Sequence, residues 1–402
     1  MEKLSLDEAT KRLLEQVEPL QEAEEISLWD AKNRILAEDV FATRNQPPFA
    51  RSPLDGYAVQ SEDIKSATKE APARLTVIEE VAAGRVGQKQ VTAGTAVRIM
   101  TGAPIPKGAD AIVRQEDTDY GEGRVCVYQS VGHYGNYCFE GEDYRAGDCL
   151  MKKGSLLGAA HVGVLASLGL KKALVLRKAR VALITTGDEI VLPGETLPEG
   201  KIYDSNLFSL GVQLQSWGVE LTAKRRVGDE ARLVAAMIAE EAKDADMVIT
   251  TGGVSVGKKD IMHDALKLLD GQRIFWRVAI KPGMPTLCAR YKGKLILCLS
   301  GNPYAAAVNL ELLARPLLAK LTGRKDLCLR RKRASLQNGY HKKSAVTRYV
   351  RAYYREGKAW IANGSNDSGV LSSLCGCNCL VEIPAGTGQI GQGGQVWVVM
   401  IG

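Results

Sequence analysis

The chain has 402 residues, of which 45% are hydrophobic and 25% are charged. This composition excludes extended disorder and a fibrous repeat, and the length favours roughly two to four domains. The formal charge of +7 favours an anionic partner, such as a phosphorylated small molecule, an oxyanion or a nucleic acid.

Three further features bear on partners and compartment. The strongest basic run, residues 323–333, contains no aromatic residue, so it indicates a solvated connector rather than a nucleic-acid surface. The most apolar stretch, residues 156–170, is shorter than the ~18 residues of a membrane span. Nine scattered cysteines and a helical N-terminus without a targeting pattern predict a reduced, cytoplasmic compartment. The C-x-C-x-C pattern at 375–379 predicts three thiols on one strand face rather than a zinc site.

The first 175 residues predict a helical linker domain that is interrupted by a β-rich domain. Ser5 is a candidate N-cap and Glu8 closes a capping box, so an amphipathic helix is expected at the start. A strand and a short helix over residues 33–40 follow. Short β-runs separated by Gly and Pro turns then occupy residues 46–140, and helical periodicity returns at 155–170. The predicted linker domain therefore comprises residues 1–45 and 141–175, with residues 46–140 inserted.

The remaining chain predicts two more domains, which makes the fold class multidomain α/β plus β. Strands and helices alternate over residues 176–326, which indicates a mainly parallel sheet with helices on both faces. Ligands are expected at the carboxyl ends of its strands. Short strands separated by glycine turns over residues 327–402 predict a small closed β-barrel.

Polar residues follow several strands of the predicted sheet. Asp188 and Glu189 come after one strand and Lys281 after another, and a Ser-Gly-Asn-Pro sequence follows a third. Asn302 is a candidate N-cap, and Pro303 suits the first turn of the last helix. Together these residues predict an anion-binding site with carboxylates that can hold magnesium.

The loop after the strand MVITT nearly matches the phosphate-binding loop of nucleotide hydrolases. It has Gly252 and Gly257 at the required spacing, but Lys259 stands where that loop needs a magnesium-binding hydroxyl. A nucleotide kinase of that type is therefore disfavoured. The loop instead predicts an anion cradle whose metal ligand is a carboxylate, with Asp260 and Glu189 as candidates.

Eight segments, in the same order and spread over almost the whole chain, closely resemble the MoeA-type molybdopterin molybdenumtransferase family, which includes the C-terminal domain of gephyrin. The segments are PPFARSPLDGYAV, RIMTGAPIPKGADAIV, GEDYRAGD, TTGDEI, GKIYDSN, TTGGVSVGKKD, VAIKPGMPT and LSGNPYAAAV. The resemblance implies a transferase of molybdenum cofactor biosynthesis that inserts molybdate into adenylylated molybdopterin, with magnesium-dependent release of AMP. It also implies a homodimer, with a molybdopterin adenylyltransferase and apo-molybdoenzymes as protein partners.

The resemblance further implies the site residues. The catalytic set is Asp55, Asp143, Glu189, Asp229, Asp260 and Lys281, with Glu189 and Asp260 as magnesium ligands. The substrate-binding set is Thr101, Gly252, Gly253, Ser255, Gly257, Arg277, Pro282, Gly283, Ser300, Gly301, Asn302 and Pro303. The chain departs from some members at Arg277 and Met284, where they have lysine. Arginine keeps the charge but prefers flat, bidentate contacts, and an anion contact at Met284 stays open.

Two other functions fit part of this pattern. A molybdopterin adenylyltransferase resembles residues 176–326 but needs neither flanking region, so the PLDGYAV segment and the β-rich tail count against it. A non-catalytic scaffold on the same fold is the alternative from another class, and the full set of carboxylates counts against it. The sequence does not decide between molybdate and tungstate, nor which enzyme receives the cofactor.

Overall fold

The structure is a computed structural model that describes residues 3–254, 261–363 and 367–402. The chain divides into a larger unit, Met1–Ala37, Gly154–Val162 and Lys172–Gly402, and a smaller unit, Glu38–Lys153 and Gly163–Lys171. The helices of the described part are α1 (Leu6–Leu14), α2 (Ala159–Ser167), α3 (Asn206–Ser216), α4 (Ala231–Glu241), α5 (Ile261–Leu268), α6 (Pro303–Asn309) and α7 (Arg315–Thr322), with a π-helical turn at Leu310–Ala314. Its strands are β1 (Ala23–Ser27), β2 (Val40–Phe41), β3 (Gly56–Val59), β4 (Ala73–Val81), β5 (Thr95–Ile99), β6 (Ala111–Arg114), β7 (Arg124–Val127), β8 (Cys149–Met151), β9 (Lys172–Leu176), β10 (Arg180–Thr186), β11 (Ile190–Val191), β12 (Ile202–Tyr203), β13 (Glu220–Val227), β14 (Met247–Thr251), β15 (Gln272–Trp276), β16 (Ile280–Lys281), β17 (Leu287–Tyr291), β18 (Lys294–Leu299), β19 (Arg331–Leu336), β20 (Thr347–Arg355), β21 (Lys358–Ile361), β22 (Cys379–Ile383) and β23 (Gln395–Met400).

The smaller unit is built on a β-sheet, as the sequence predicts. Its described residues form a five-stranded sheet in the order β6-β3-β5-β4-β7. All four residues of β3 are buried, with Tyr57 and Val59 in the hydrophobic cluster on one face and Ala58 in the cluster on the other. Successive side chains of a strand point to opposite faces, so both faces of this sheet are covered.

The larger unit contains the α/β sheet, whose described strands run in the order β13-β10-β14-β18-β17-β15. The pairings among β13, β10, β14 and β18 are parallel, whereas β17 and β15 join antiparallel. Leu183 and Ile249 belong to the core on one face, and Ile184 and Val248 belong to the core on the other. The mainly parallel sheet is confirmed, and it places the carboxyl ends of β10, β14 and β18 side by side.

The C-terminal strands form the predicted closed barrel. They follow the order β16-β20-β21-β19-β23-β22, and an additional pairing between β20 and β22 closes the ring. Its interior is a separate apolar cluster that includes Val350, Ala352 and Val381. Because β16 pairs with β20, the segment that carries Lys281 joins the barrel. The fold class predicted from the sequence is confirmed.

The predicted N-cap at Ser5 is also confirmed. Ser5 Oγ accepts a hydrogen bond from Glu8 N at 3.1 Å at the start of α1. The predicted capping box is not formed, because the Glu8 carboxylate pairs with Arg12, one turn further along, and not with the backbone N–H of Ser5. In the described residues, no helix combines the length and the apolar character that crossing a membrane requires.

Three local predictions are wrong. Residues 33–39 form turns and isolated bridges, such as Ile35 with Leu156, and Val40 begins β2. They form no helix, because their backbone pairs with neighbouring extended segments, as in the hydrogen bond from Leu36 N to the Ser155 carbonyl oxygen. The strand predicted just before Lys281, RIFWRVAI at residues 273–280, is not one strand, because Arg277 takes a left-handed conformation with φ 71° and ends β15. Of the three clustered thiols, only Cys379 lies in a strand; Cys375 lies in a turn, and Cys377 lies in the irregular segment between them.

Candidate active site

A cavity of about 330 Å³, here called the strand-end cavity, lies where the carboxyl ends of β10, β14 and β18 meet. This is the edge at which parallel α/β sheets bind ligands. Eight residues predicted from the sequence line it: Glu189, Asp229, Gly252, Gly253, Ser300, Gly301, Asn302 and Pro303. The structure therefore brings together residues that are scattered over more than a hundred positions of the chain.

Two glycine turns form part of the wall. Gly252 has φ 94°, and a Cβ placed on it would lie 2.3 Å from the Thr186 carbonyl oxygen. A Cβ on Gly301 would lie 3.2 Å from Gly252 Cα, so the two turns are themselves in close approach. Only glycine fits at position 252 without displacing the end of β10, whereas a side chain at position 301 would force a small shift of the Gly252 turn.

Two buried residues without a predicted role support this wall, Asn206 directly and Asp204 by capping the helix that carries Asn206. Asn206, at the start of α3, donates from Nδ2 to the Gly301 carbonyl oxygen at 2.7 Å. Asp204 accepts from Leu207 N at 3.0 Å, as a helix-capping carboxylate does, and from Thr185 Oγ1 at 2.5 Å. The Asp-Ser-Asn sequence at 204–206, just before a predicted helix, is a signal for such a cap. The hydrogen bond from Asn206 to the distant turn at Gly301 has no signal in the sequence.

Besides Asp204, two carboxylate residues of the cavity come from the loops after β10 and β13. Glu189 and Asp229 both line the cavity. Asp229 donates its backbone N–H to Asp188 Oδ1 at 3.0 Å, which ties the two loops together. The Asp188 carboxylate is thus used to hold the loop that carries Asp229.

A second cavity of about 710 Å³, here called the basic cavity, adjoins the first. Ser300, Asn302 and Pro285 line both cavities. Three cationic side chains line the basic cavity, namely Lys281, Lys342 and Arg348. Pro282, Gly283, Met284 and the carboxylate residue Asp367 also line it. Lys342 and Arg348 were not singled out in the sequence, because their strand and loop carry no motif.

The turn that carries Lys281 is held by a buried side chain of α6. Gly283 has φ 95°, and its carbonyl oxygen accepts from Asn309 Nδ2 at 3.0 Å and from Thr286 Oγ1 at 2.8 Å. A Cβ on Gly283 would lie 2.6 Å from Asn309 Nδ2. The Lys-Pro-Gly turn is therefore set by its contact with the helix, and Lys281 is set with it.

Three further predicted residues lie in the smaller unit. Asp55 Oδ1 accepts from the backbone N and from Oγ1 of Thr101, each at 2.7 Å. These two hydrogen bonds, the backbone one first, lower the pKa of Asp55 below its usual value, so the side chain is a carboxylate at neutral pH. Asp143 lies in another loop of this unit, where its N–H donates to the Gln46 carbonyl oxygen at 2.9 Å.

The remaining predicted residues are placed differently. Arg277 lines neither of the two cavities, and its guanidinium lies 4.0 Å from the centroid of the Trp276 ring. Ser255, Gly257 and Asp260 lie outside the described residues.

Three family descriptions match the chain. "MoeA N-terminal region (domain I and II)" matches residues 4–169, "Probable molybdopterin binding domain" matches residues 182–320, and "MoeA C-terminal region (domain IV)" matches residues 333–401. The molybdopterin molybdenumtransferase of Staphylococcus epidermidis is 34% identical over 400 residues, covering 99% of this chain and 95% of that protein. The enzyme of the same name from Staphylococcus aureus is 32% identical over the same coverage.

Solved structures agree with these matches. The molybdopterin biosynthesis MoeA protein of Pyrococcus horikoshii OT3 superposes with a TM-score of 0.83 and 30% identity over 100% of both chains. A molybdenum cofactor biosynthesis protein from Pyrococcus furiosus superposes with a TM-score of 0.60 at 21% identity, which shows a shared fold.

These matches define the class of protein. The strand-end cavity lies inside the region that matches a molybdopterin-binding domain, and MoeA regions match on either side of it. With 34% identity across nearly the full length of both proteins, the chain belongs to the molybdopterin molybdenumtransferase family. The resemblance carried by the eight segments is thereby confirmed.

Proposed function

We propose that this chain is a molybdopterin molybdenumtransferase, which inserts molybdate into adenylylated molybdopterin and releases AMP. The observation that carries the proposal is the pair of adjoining cavities, one with glycine turns and carboxylates and the other with three cationic side chains. The reaction needs two neighbouring places, one for a phosphate-bearing pterin and one for an oxyanion. The family assignment supports the same conclusion.

The strand-end cavity is the proposed place for the phosphate-bearing part of the pterin substrate. Gly252, Gly253 and Gly301 leave no side chain between the backbone and a ligand, which is the way glycine turns bind phosphate. Ser255 and Gly257 are proposed to continue this cradle. Ser300, Asn302 and Pro303 complete the proposed set on the wall shared with α6.

The basic cavity is the proposed place for molybdate. Lys281, Lys342 and Arg348 supply positive charge for a doubly charged oxyanion, and Pro282 and Gly283 shape the turn beside it. A substrate in the strand-end cavity would then meet molybdate near the residues that line both cavities. Arg277 is proposed to attract the anionic substrates by its charge without contacting them, since its guanidinium stacks on Trp276 and lines neither cavity.

The donors of the strand-end cavity fit magnesium, which prefers oxygen ligands and keeps several waters. Among residues 3–254, 261–363 and 367–402, no group of three or more His, Cys, Asp or Glu side chains is placed to hold a metal ion. Magnesium needs no such cage, because one or two carboxylates and substrate oxygens suffice. Glu189 and Asp260 are the proposed protein ligands, and the bound ion would neutralise charge on the phosphate oxygens.

The chain's own residues would then position and neutralise the reactants. Cleavage of the adenylyl pyrophosphate link needs an in-line attacking oxygen, from water or molybdate, and cations near the phosphate oxygens. Lys281 can neutralise that charge from the side of the basic cavity. Asp229 is proposed to orient substrate at the opposite wall, in the loop that Asp188 holds.

Asp55, Thr101 and Asp143 enter the proposed site through dimerisation. We infer a two-fold homodimer in which the β-rich insert of one chain faces the α/β domain of the other, so that each cleft draws residues from both chains. The predicted division into residues 1–45 with 141–175, 46–140, 176–326 and 327–402 stays part of this proposal. A cytoplasmic location, a molybdopterin adenylyltransferase as supplier and apo-molybdoenzymes as recipients complete it.

The decisive experiment incubates the purified protein with adenylylated molybdopterin, magnesium and either molybdate or tungstate, and follows AMP release together with metal bound to the pterin. We expect AMP release that depends on the oxyanion and is lost in Glu189→Gln. Formation of adenylylated molybdopterin from ATP and molybdopterin would support the adenylyltransferase alternative. Tight substrate binding without any AMP release would support the scaffold alternative.

A further inference from the structure

We propose that Arg351 is a positioning residue for the basic cavity, the proposed place for molybdate. It holds the backbone on both sides of Ser368, so that Ser368 meets Asn302 where the two cavities adjoin. The inference rests on the proposed function, because it assigns a role to the wall that these cavities share. In this proposal Arg351 is buried and acts on the site without touching either substrate.

Arg351 lies on β20 and is completely buried. Its Nη1 donates to the Val370 carbonyl oxygen at 2.5 Å, and its Nη2 donates to the Asp367 carbonyl oxygen at 3.4 Å. The two carbonyls flank Ser368 in the chain. A guanidinium presents its donors in a fixed planar fork, so one side chain can set the distance between two acceptors, which an ammonium group cannot do.

The Tyr304 ring packs against the guanidinium of Arg351. The guanidinium carbon lies 4.0 Å from the centroid of the Tyr304 ring, and a buried cation is stabilised by such a contact. The Tyr304 hydroxyl accepts from Arg351 N at 2.9 Å and donates to the Tyr349 carbonyl oxygen at 2.7 Å. Arg351 is therefore held in one orientation by α6 and by its own strand.

Ser368 links this arrangement to the cavities. Its Oγ accepts from Asn302 Nδ2 at 2.9 Å, and its carbonyl oxygen accepts from Tyr304 N at 3.0 Å. Ser368 lines the basic cavity, whereas Asn302 lines both cavities. The Asn302 side chain makes no capping bond to α6, although this residue is at the N-cap position, and it binds Ser368 instead. A shift of the backbone at Ser368 would therefore change the shared wall.

The test compares Arg351→Lys with Arg315→Lys. Arg315 is also almost fully buried, donates from Nε to the Leu327 carbonyl oxygen at 3.0 Å and pairs with Glu311, but it lines neither cavity. We expect the KM for molybdate to rise about tenfold in Arg351→Lys, since a fixed hydrogen-bonding group is displaced. The KM for adenylylated molybdopterin should match that of the control variant.

A second readout needs no turnover. Hydrogen–deuterium exchange of the free proteins should be faster at residues 367–371 in Arg351→Lys than in the wild type or in Arg315→Lys. In the double variant with Ser368→Ala, the KM for molybdate should be no higher than in the worse single variant, because both changes remove the same contact.

Equal KM values for molybdate in the two lysine variants, or fully additive effects in the double variant, would overturn the proposal. If Arg351→Lys does not fold, the single variant Ser368→Ala tests the contact through which Arg351 acts, since it removes the oxygen that accepts from Asn302. An unchanged KM for molybdate in Ser368→Ala would also overturn the proposal. If the wild type releases no AMP, the proposed function fails, whereas the exchange result tests the anchoring role of Arg351 independently.

Discussion

At the scale of single residues, Gly252 is the position where the structure makes the most specific demand. We expect Gly252→Ala to destabilise the protein and to abolish binding of adenylylated molybdopterin. The left-handed φ of 94° costs an alanine roughly 1–2 kcal/mol, and the contact of its Cβ with the Thr186 carbonyl oxygen adds about 1–3 kcal/mol. The measurements are the denaturant midpoint and a binding titration.

Gly293→Ala is the matched control for this change. Gly293 also has a positive φ, 80°, but a Cβ on it would meet nothing within 4 Å. Gly293→Ala should therefore lose only the roughly 1–2 kcal/mol of folding stability that the left-handed φ costs, and it should bind substrate as the wild type does. Equal losses of stability and affinity in the two variants would contradict the close approach at Gly252.

Lys281 carries a second prediction at this scale. Lys281→Gln should raise the molybdate concentration needed for half-maximal AMP release by about tenfold, because a charge-assisted hydrogen bond is stronger than a neutral one. Lys224→Gln is the control, since Lys224 is an exposed lysine on β13 that lines neither cavity. An unchanged molybdate dependence in Lys281→Gln would show that molybdate does not bind in the basic cavity as proposed.

At the scale of elements, Asp246 joins the beginnings of two neighbouring strands of the α/β sheet. Its carboxylate accepts from Arg177 Nη1 at 2.7 Å and from Arg180 N, at the start of β10, at 2.8 Å. Burial tends to raise the pKa of Asp246, but the hydrogen bonds from Arg177 and Arg180 outweigh it, and the pKa is lowered below 3.8. We expect Asp246→Asn to cost about 3 kcal/mol at pH 7, because one member of a largely buried ion pair loses its charge.

The pH dependence of that cost is a separate prediction. A carboxyl group whose pKa is lower in the folded protein stabilises the fold above the unfolded-state pKa, near 3.8, and this contribution is lost as the pH falls through the lower folded-state value. The difference in urea midpoint between wild type and Asp246→Asn should therefore shrink as the pH is lowered from 7 to 3. A difference that stays constant or grows on acidification would show that Asp246 does not act through its charge.

At the scale of the whole molecule, the proposed shared cleft predicts complementation between two inactive chains. Asp55→Ala and Glu189→Ala change residues that would come from different chains of one cleft. A heterodimer then has both lesions in one cleft and none in the other, so about half of the wild-type AMP release should return. The measurement is the activity of heterodimers purified with two different tags.

The control for this experiment is a heterodimer of wild type with Asp55→Ala, which should retain one intact cleft as well. The shared cleft would have to be abandoned if verified Asp55→Ala/Glu189→Ala heterodimers stayed inactive while that control was active. An active monomeric wild type would have the same consequence.

The sequence was most informative where its signals are local. Ser5 three residues before Glu8 predicts a helix start, and Pro303 predicts another, because capping involves neighbours along the chain. Local signals failed at Arg277, where a left-handed residue divides a run that is otherwise typical of a strand. They also failed at residues 33–40, where pairing with distant segments replaced the predicted helix.

The sequence by itself determined the fold class, the order of its β-rich, α/β and barrel regions, and the family, because apolar periodicity, glycine and proline turns and the eight segments are all written along the chain. Only the tertiary structure decided that Asn206 binds the turn at Gly301, 95 residues away, and that Lys342 and Arg348 share a cavity with Lys281. The physical reason is that such contacts depend on the register of β14 against β18 and on the pairing of β16 with β20. Those relations arise only when distant strands are paired, so no local pattern contains them.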